Sequence, residues 1–161
     1  MKAAVLVASD KGYRGERRDE SGEAAKKILE GAGYEVEEVC ILPDEREMIS
    51  SKLKEFCAQK IQLVITSGGT GFSKRDVTPE ATRDVIEREA PGIPQAILLN
   101  SLKITPRAML TRMVAGICKD TLIVNLPGSP KAVREDLEYI LPSLEHGLEI
   151  LSGSASECAG K

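Results

Sequence analysis

The chain opens on an unbroken apolar run. Lys2 to Ala8 is rich in valine and alanine with no polar alternation, the pattern of a strand buried on both faces of a parallel sheet. A polar loop from Ser9 to Glu20 comes next. Ala24, Ala25, Ile28 and Leu29 then recur at helical spacing within Ser21 to Ala32, with Gly31 and Gly33 as the stop. Tyr34 to Leu42 alternates apolar and acidic residues and predicts a second strand, ended by Pro43-Asp44. Asp44 or its neighbour opens a helix to about Lys60 with an apolar stripe of Ile49, Leu53 and Phe56, and Gln62 to Thr66 is the third strand.

In the second half, Thr78-Pro79-Glu80 predicts a helix start: a hydroxyl N-cap, proline at the first helical position and an acid in the first turn. That helix is expected to run to about Glu89, where Pro91-Gly92 breaks it. Pro94 to Leu102 reads as another helix, and no clear period is seen from there through Met109. Thr111 to Ile117 and Thr121 to Leu126 flank a Lys119-Asp120 turn and predict a hairpin added to the sheet. Ser129-Pro130 opens a helix to about Leu141, Pro142 resets the chain for a last helix through Leu151, and Ser152 to Lys161 is expected to be a flexible tail after a single domain over residues 1–151.

Alternating strands and helices imply βαβ units, whose right-handed crossovers bring the carboxyl ends of the parallel strands to one edge. The loops at that edge, Ser9-Asp10, Pro43-Asp44, Ser67 to Gly71 and Asn125 to Pro130, carry glycines, hydroxyls and carboxylates. Open α/β sheets bind ligands there.

Composition narrows the classes. The 161 residues suit one compact domain, and 42% hydrophobic with 29% charged residues is globular rather than disordered or membrane-spanning. A net charge of −3 argues against a broad nucleic-acid surface and leaves room for a local cationic pocket. The four cysteines, Cys40, Cys57, Cys118 and Cys158, have no close-spaced pair, so neither a zinc site nor a redox dithiol is indicated. The first apolar run is too short for a signal peptide or a spanning helix, and a cytoplasmic protein is expected.

The densest chemical signal is Thr66-Ser67-Gly68-Gly69-Thr70-Gly71, directly after a strand. Such a loop lets backbone N–H groups approach an anion unhindered, although its spacing matches neither a Walker A loop nor a dinucleotide fingerprint. A plain strand-ending turn is the bland alternative. Asp76 precedes a helix whose cap Thr78 already supplies, which leaves its carboxylate free to face the glycine loop. Arg75 suits a phosphate or a salt bridge, and Asp44 suits either a ligand contact or the cap of the next helix. Asp10 and Asp19, taken singly, read as solvated loop acids.

His146, the one histidine, falls in the last helix among apolar residues, so no Ser/His/Asp or Cys/His arrangement is available. Aspartates ionised at neutral pH suit a magnesium ion better than a proton shuttle. A phosphate monoester, with a second pKa of about 6, is already a nucleophile at neutral pH and needs no general base. Metal-assisted phosphorus chemistry fits this inventory.

Taken together, Thr66 to Gly71, Arg75-Asp76-Val77-Thr78-Pro79-Glu80-Ala81 and Asn125-Leu126-Pro127-Gly128-Ser129-Pro130 resemble the molybdopterin adenylyltransferase family, whose eukaryotic relatives include the G domain of gephyrin. The similarity runs from about Val5 to Leu151, taking in Ser9-Asp10, Gly15, Asp19, Ser21, Gly22 and Thr105 to Leu110. It implies a three-layer α/β/α fold with a mostly parallel central sheet and a short antiparallel hairpin or edge. It further implies a homotrimer, and magnesium-dependent transfer of AMP from ATP to molybdopterin with release of pyrophosphate, ahead of a downstream molybdenum-insertion enzyme. Carried over residue by residue, Asp44 and Asp76 correspond to the functional and metal-binding carboxylates. Ser67, Gly68, Gly69, Thr70 and Gly71 correspond to the pterin-phosphate pocket, and Ser101, Asn125, Gly128 and Ser129 to further substrate contacts. Thr111 stands where many relatives have serine. A binding module without chemistry and a magnesium-dependent nucleotide pyrophosphatase are the competing functional readings.

Overall fold

The computed structural model describes residues 1–154. Strands β1 (Lys2–Ala8), β2 (Glu35–Leu42), β3 (Leu63–Ser67), β4 (Arg88–Glu89), β5 (Ala115–Cys118) and β6 (Thr121–Leu126) form one sheet in the order β2-β1-β3-β6-β5-β4. The first four in that order are parallel; β5 pairs antiparallel to β6, and β4 antiparallel to β5. Helices α1 (Asp10–Tyr13), α2 (Ser21–Gly31), α3 (Arg46–Ala58), α4 (Thr78–Arg83), α5 (Gly92–Leu102) and α6 (Pro130–Leu151), with a 3₁₀ turn at Pro106–Leu110, make up the rest.

The two-residue period of β1 builds two cores. Ala3, Val5 and Val7 face a layer supplied by Ala25 and Leu29 of α2, Ile97 of α5 and Leu137 to Leu148 of α6. Ala4, Leu6 and Ala8 face Ile49, Leu53 and Phe56 of α3 and Ala81 of α4. Those three α3 side chains are completely buried, each contributing about 1.5–3 kcal/mol, which explains why a helix of weak local signal forms there. The expected three-layer α/β/α architecture is the observed one.

Four differences from the elements the sequence predicts go beyond a shift of two residues at an end. The loop after β1 folds into the short helix α1, because Ser9 Oγ accepts the Gly12 N–H at 3.0 Å. Helix α4 stops at Arg83 rather than about Glu89, since Arg88–Glu89 is taken as an edge strand by β5. The first hairpin strand begins at Ala115, not Thr111, because Arg112 N–H is drawn instead to the Thr70 carbonyl. Pro142 does not restart the chain: α6 runs through it, for the stripe Leu137, Ile140, Leu141, Leu144 and Leu148 is buried on both sides of the proline, whose missing N–H lies on the exposed face. The helix closes with Gly153 N–H on the Ile150 carbonyl and Ser154 N–H on the Glu149 carbonyl, a Schellman arrangement. The rest of the expected tail, residues 155–161, lies outside the described residues.

Strand register sets where the loops leave the sheet. Ala8 pairs with Leu42, Val7 with Ser67, and Ser67 with Leu126, so the four parallel strands end level. Their outgoing loops therefore emerge side by side.

Candidate functional site

At that level edge lies a cavity of about 780 Å³, lined by Ser9, Asp10, Lys11, Arg17, Arg18 and Asp19, by Asp44, by Ser67, Gly68, Gly69 and Asp76, and by Gly128 and Ser129. Each parallel strand contributes its own loop.

The glycine loop turns sharply through two residues at φ +90 and +65, Gly68 and Gly69, a conformation that a side chain would strain. The Gly68 N–H is bound by the Leu126 carbonyl at 3.1 Å, and Ser67 Oγ donates to the Pro127 carbonyl at 3.0 Å, tying the β3 and β6 loops together. A Cβ on Gly69 would lie closer than 3.0 Å to Thr78 Oγ1 and 3.1 Å from Asp44 Oδ1. A Cβ on Gly71 would lie 2.9 Å from Asp76 Oδ2. Both carboxylates thus lie against bare backbone, and at Gly69 the positive φ and the Thr78 hydroxyl exclude a side chain as well.

Asp44 is not the cap of α3: Glu45 holds that position, and no side chain caps the helix. Asp44 instead exchanges bonds with Asp10, each backbone N–H donating to the other's carboxylate, at 3.0 Å to Asp10 Oδ1 and 3.1 Å to Asp44 Oδ2. Arg75 grips Asp10 with two bonds of 2.9 and 3.0 Å and also pairs with Glu45 at 2.8 Å, so the salt-bridge alternative for this arginine is the one realised. The guanidinium and the Asp44 N–H hold the Asp10 carboxyl below the usual range. Burial pushes the Asp44 carboxyl up, and the neighbouring Asp10 and Asp76 charges add to that against the pull of the Asp10 N–H and Arg75. Asp44 Oδ1 is buried without any partner. A buried, unsatisfied carboxylate oxygen beside other carboxylates is a place where a cation lowers the energy.

Asp76 enters by a different route from the one expected. Thr78 does not cap α4; it is the first helical residue, wholly buried, with a hydroxyl that has no partner. Asp76 Oδ2 accepts the Ser73 N–H at 3.1 Å, which leaves the other oxygen available in the cavity wall. Ser129 caps α6, its hydroxyl accepting the Ala132 N–H at 3.4 Å, and Gly128 lies close against Gly68.

Four sequence-predicted residues stand outside the cavity lining. Thr70 is buried and Gly71 turns its carbonyl to Arg112 Nε at 2.7 Å. Ser101 donates to Asp136 Oδ1 at 3.0 Å between α5 and α6, where burial pushes the Asp136 carboxyl up to about 6. Asn125 is completely buried: its amide donates to Thr66 Oγ1 and Thr82 Oγ1, both at 2.9 Å, and its carbonyl accepts the Val114 N–H at 3.1 Å. That side chain ties β3, α4 and the approach to β5 together beneath the site.

Asp10 and Asp19, which taken singly read as solvated loop acids, and Lys11, Arg17 and Arg18, which nothing in the sequence singles out, are cavity residues absent from the predicted site. For Asp10 the signal was present, since Ser9-Asp10 follows β1 as Pro43-Asp44 follows β2, at paired positions of the sheet. Arg17 and Arg18 carry no such marker, being exposed residues in an irregular segment.

Known proteins share this chain's sequence and fold over nearly its whole length. Residues 4–146 match the family described as a probable molybdopterin binding domain. A molybdopterin adenylyltransferase of Helicobacter pylori strain J99 is 39% identical over 158 residues, covering 93% of this chain and 87% of that protein. Gephyrin of Dictyostelium discoideum is 39% identical over 92% of this chain, which spans 22% of gephyrin's own length. The crystal structure of the molybdopterin biosynthesis enzyme MoaB from Thermus thermophilus superposes with a TM-score of 0.89 at 45% identity, covering 94% of this chain and 96% of the other. Matched over residues 4–146 and 39% identical to an adenylyltransferase over nearly its whole length, this chain belongs to the molybdopterin-binding domain family that includes the molybdopterin adenylyltransferases.

Proposed function

We propose that this protein is a molybdopterin adenylyltransferase, joining the AMP moiety of ATP to the phosphate of molybdopterin and releasing pyrophosphate. The observation that carries this reading is the convergence of Asp44 and Asp76 on the Gly68-Gly69 turn in one cavity, with Asp44 Oδ1 buried and unpartnered.

The donor set suits magnesium. Among the described residues no three His, Cys, Asp or Glu side chains are grouped to hold a metal on protein atoms alone. Magnesium is commonly bound through one or two carboxylates with substrate phosphates and water completing the shell, and Asp44 and Asp76 are the residues that would hold it. When bound, the ion supplies charge neutralisation and orientation of phosphate oxygens. The chain's own part is placement. The Gly68-Gly69 turn offers backbone without side chains to the pterin phosphate, the α6 N-terminus with Ser129 and Gly128 flanks it, and Lys11 and Arg17 face the same space. No general base is required, because a phosphate monoester is largely deprotonated at neutral pH. His146 accordingly stays exposed on α6, outside the cavity lining.

A homotrimer would need an apolar face between copies, and Phe72, Leu99, Leu102, Ile104, Met109 and Leu110, exposed along the glycine-loop exit, α5, the link that follows it and the 3₁₀ turn, are residues that such a face could use. Among the described residues no helix is long and apolar enough to cross a membrane.

Incubation with magnesium, ATP and molybdopterin tests the reading. Adenylylated pterin and pyrophosphate in equal amounts are expected. Pterin binding without turnover would make the protein a carrier, and nucleotide hydrolysis at full rate without pterin would make it a pyrophosphatase.

A further inference from the structure

Asp76 sits at the end of an exposed loop, Phe72 to Arg75, yet its carboxylate must stay in register with Gly69 and Asp44. The loop's internal bonds are local: Asp76 N–H to the Ser73 carbonyl at 3.0 Å and Ser73 N–H to Asp76 Oδ2 at 3.1 Å. They shape the turn without fixing it to the body. Arg75 fastens the loop toward Asp10 through its side chain only.

On the opposite side, one guanidinium grips the backbone at both ends of the loop. Arg112 Nε donates to the Gly71 carbonyl and Nη2 to the Asp76 carbonyl, both at 2.7 Å, while Nη1 pairs with Glu80 on the first turn of α4. Arg112 is itself anchored, its N–H on the Thr70 carbonyl at 2.9 Å and Val114, two residues on, bonded both ways to the buried Asn125. Glu80 is kept ionised: burial opposes this, but its own backbone N–H and Arg112 hold the carboxyl below the usual range. The planar five-donor fork suits three acceptors at once, which an ammonium cannot reproduce.

We propose that Arg112 is a positioning residue for Asp76. By bridging the Gly71 and Asp76 carbonyls it holds the Asp76 carboxylate over Gly71 and in the cavity wall. This rests on the cation and phosphate role proposed above for Asp76, and displacing a site group by about 1 Å is enough to cost about 100-fold in rate.

Arg112→Lys keeps the charge facing Glu80 and loses the bridge. Three measurements are made beside Glu80→Gln, which leaves both carbonyl bonds: Mn²⁺ binding by electron paramagnetic resonance with α,β-methylene ATP present, amide exchange over residues 72–76, and the steady-state split of kcat and KM. For Arg112→Lys the expected result is Mn²⁺ binding weaker by about tenfold, exchange faster by about tenfold, and kcat down by about 10–100-fold with the molybdopterin KM within about twofold. Glu80→Gln should show under about threefold change in each. Wild-type exchange and Mn²⁺ affinity in Arg112→Lys would overturn the proposal. So would Glu80→Gln matching or exceeding its losses, since the ion pair and not the bridge would then matter. If the wild-type protein transfers no AMP, the functional reading fails while the exchange comparison still decides the role of Arg112.

Discussion

Replacing Gly69 with alanine puts a methyl group into the narrowest part of the site. Two costs arise, and they separate. The backbone at φ +65 charges any L side chain about 1–2 kcal/mol, whatever the surrounding space. The new Cβ would also stand inside the contact shell of Thr78 Oγ1, 3.3 Å from Thr78 Cβ and 3.1 Å from Asp44 Oδ1, an overpacking worth about 1–3 kcal/mol. Gly69→Ala should therefore lose about 2–5 kcal/mol, or about 5–15 °C of melting temperature for a domain of this length. Turnover should fall by about 100-fold or more, because the crowding shifts the loop or the Asp44 carboxylate together with Thr78. The Thr78 hydroxyl has no partner to lose, so Thr78→Ala alone should cost only the packing of a methyl group, about 1 kcal/mol. The double variant Gly69→Ala/Thr78→Ala should then be more stable than the sum of the singles by about 1–2 kcal/mol. Thermal melts of the four proteins and their pyrophosphate release give the cycle. Additive losses, or a Gly69→Ala protein with wild-type turnover, would refute the steric account of this turn.

Two further predictions concern buried polar groups away from the cavity. Asp136 has a carboxyl raised by burial to about 6, so its favourable contribution is complete below its unfolded pKa near 4 and is lost as pH rises through about 6. Asp136→Asn should equal the wild type in stability at pH 4 and exceed it by about 1–3 kcal/mol at pH 7.5, and melts giving the same difference at both pH values would contradict this. Asn125→Ala removes the partners of Thr66, Thr82 and the Val114 N–H at once, and a loss of about 3–5 kcal/mol is expected in urea unfolding. A loss below about 1 kcal/mol would show that this buried network is not a structural tie.

The strands and their common edge were readable because both signals are local: continuous apolar runs for β1 and β3, and turn residues just after them. Asp44 was readable as a site candidate for the same reason, though whether it capped α3 depended on Asp10, 34 residues away, whose N–H binds Asp44 Oδ2 and whose carboxylate takes the Asp44 N–H, leaving Oδ1 free. Long-range partners account for the rest. Nothing local ends α4 at Arg83; the edge of β5 does, by pairing with Arg88 and Glu89. Pro142 looked like a break because helix propensity is local, while the buried leucines that carry α6 through it belong to the core. Asn125 occupies a family motif at the sheet edge, and only the alternation of side chains along β6 shows that it faces Thr66 and Thr82 rather than the cavity.

The central claim is that Asp76 and Asp44 act on the phosphates being joined rather than on the pterin as such. Single-turnover measurement of Asp76→Asn tests it most directly, since asparagine is isosteric and can still accept the Ser73 N–H. Adenylyl transfer should fall by about 100-fold while the dissociation constant for molybdopterin stays within about threefold. Equal losses in transfer and in molybdopterin binding would contradict it.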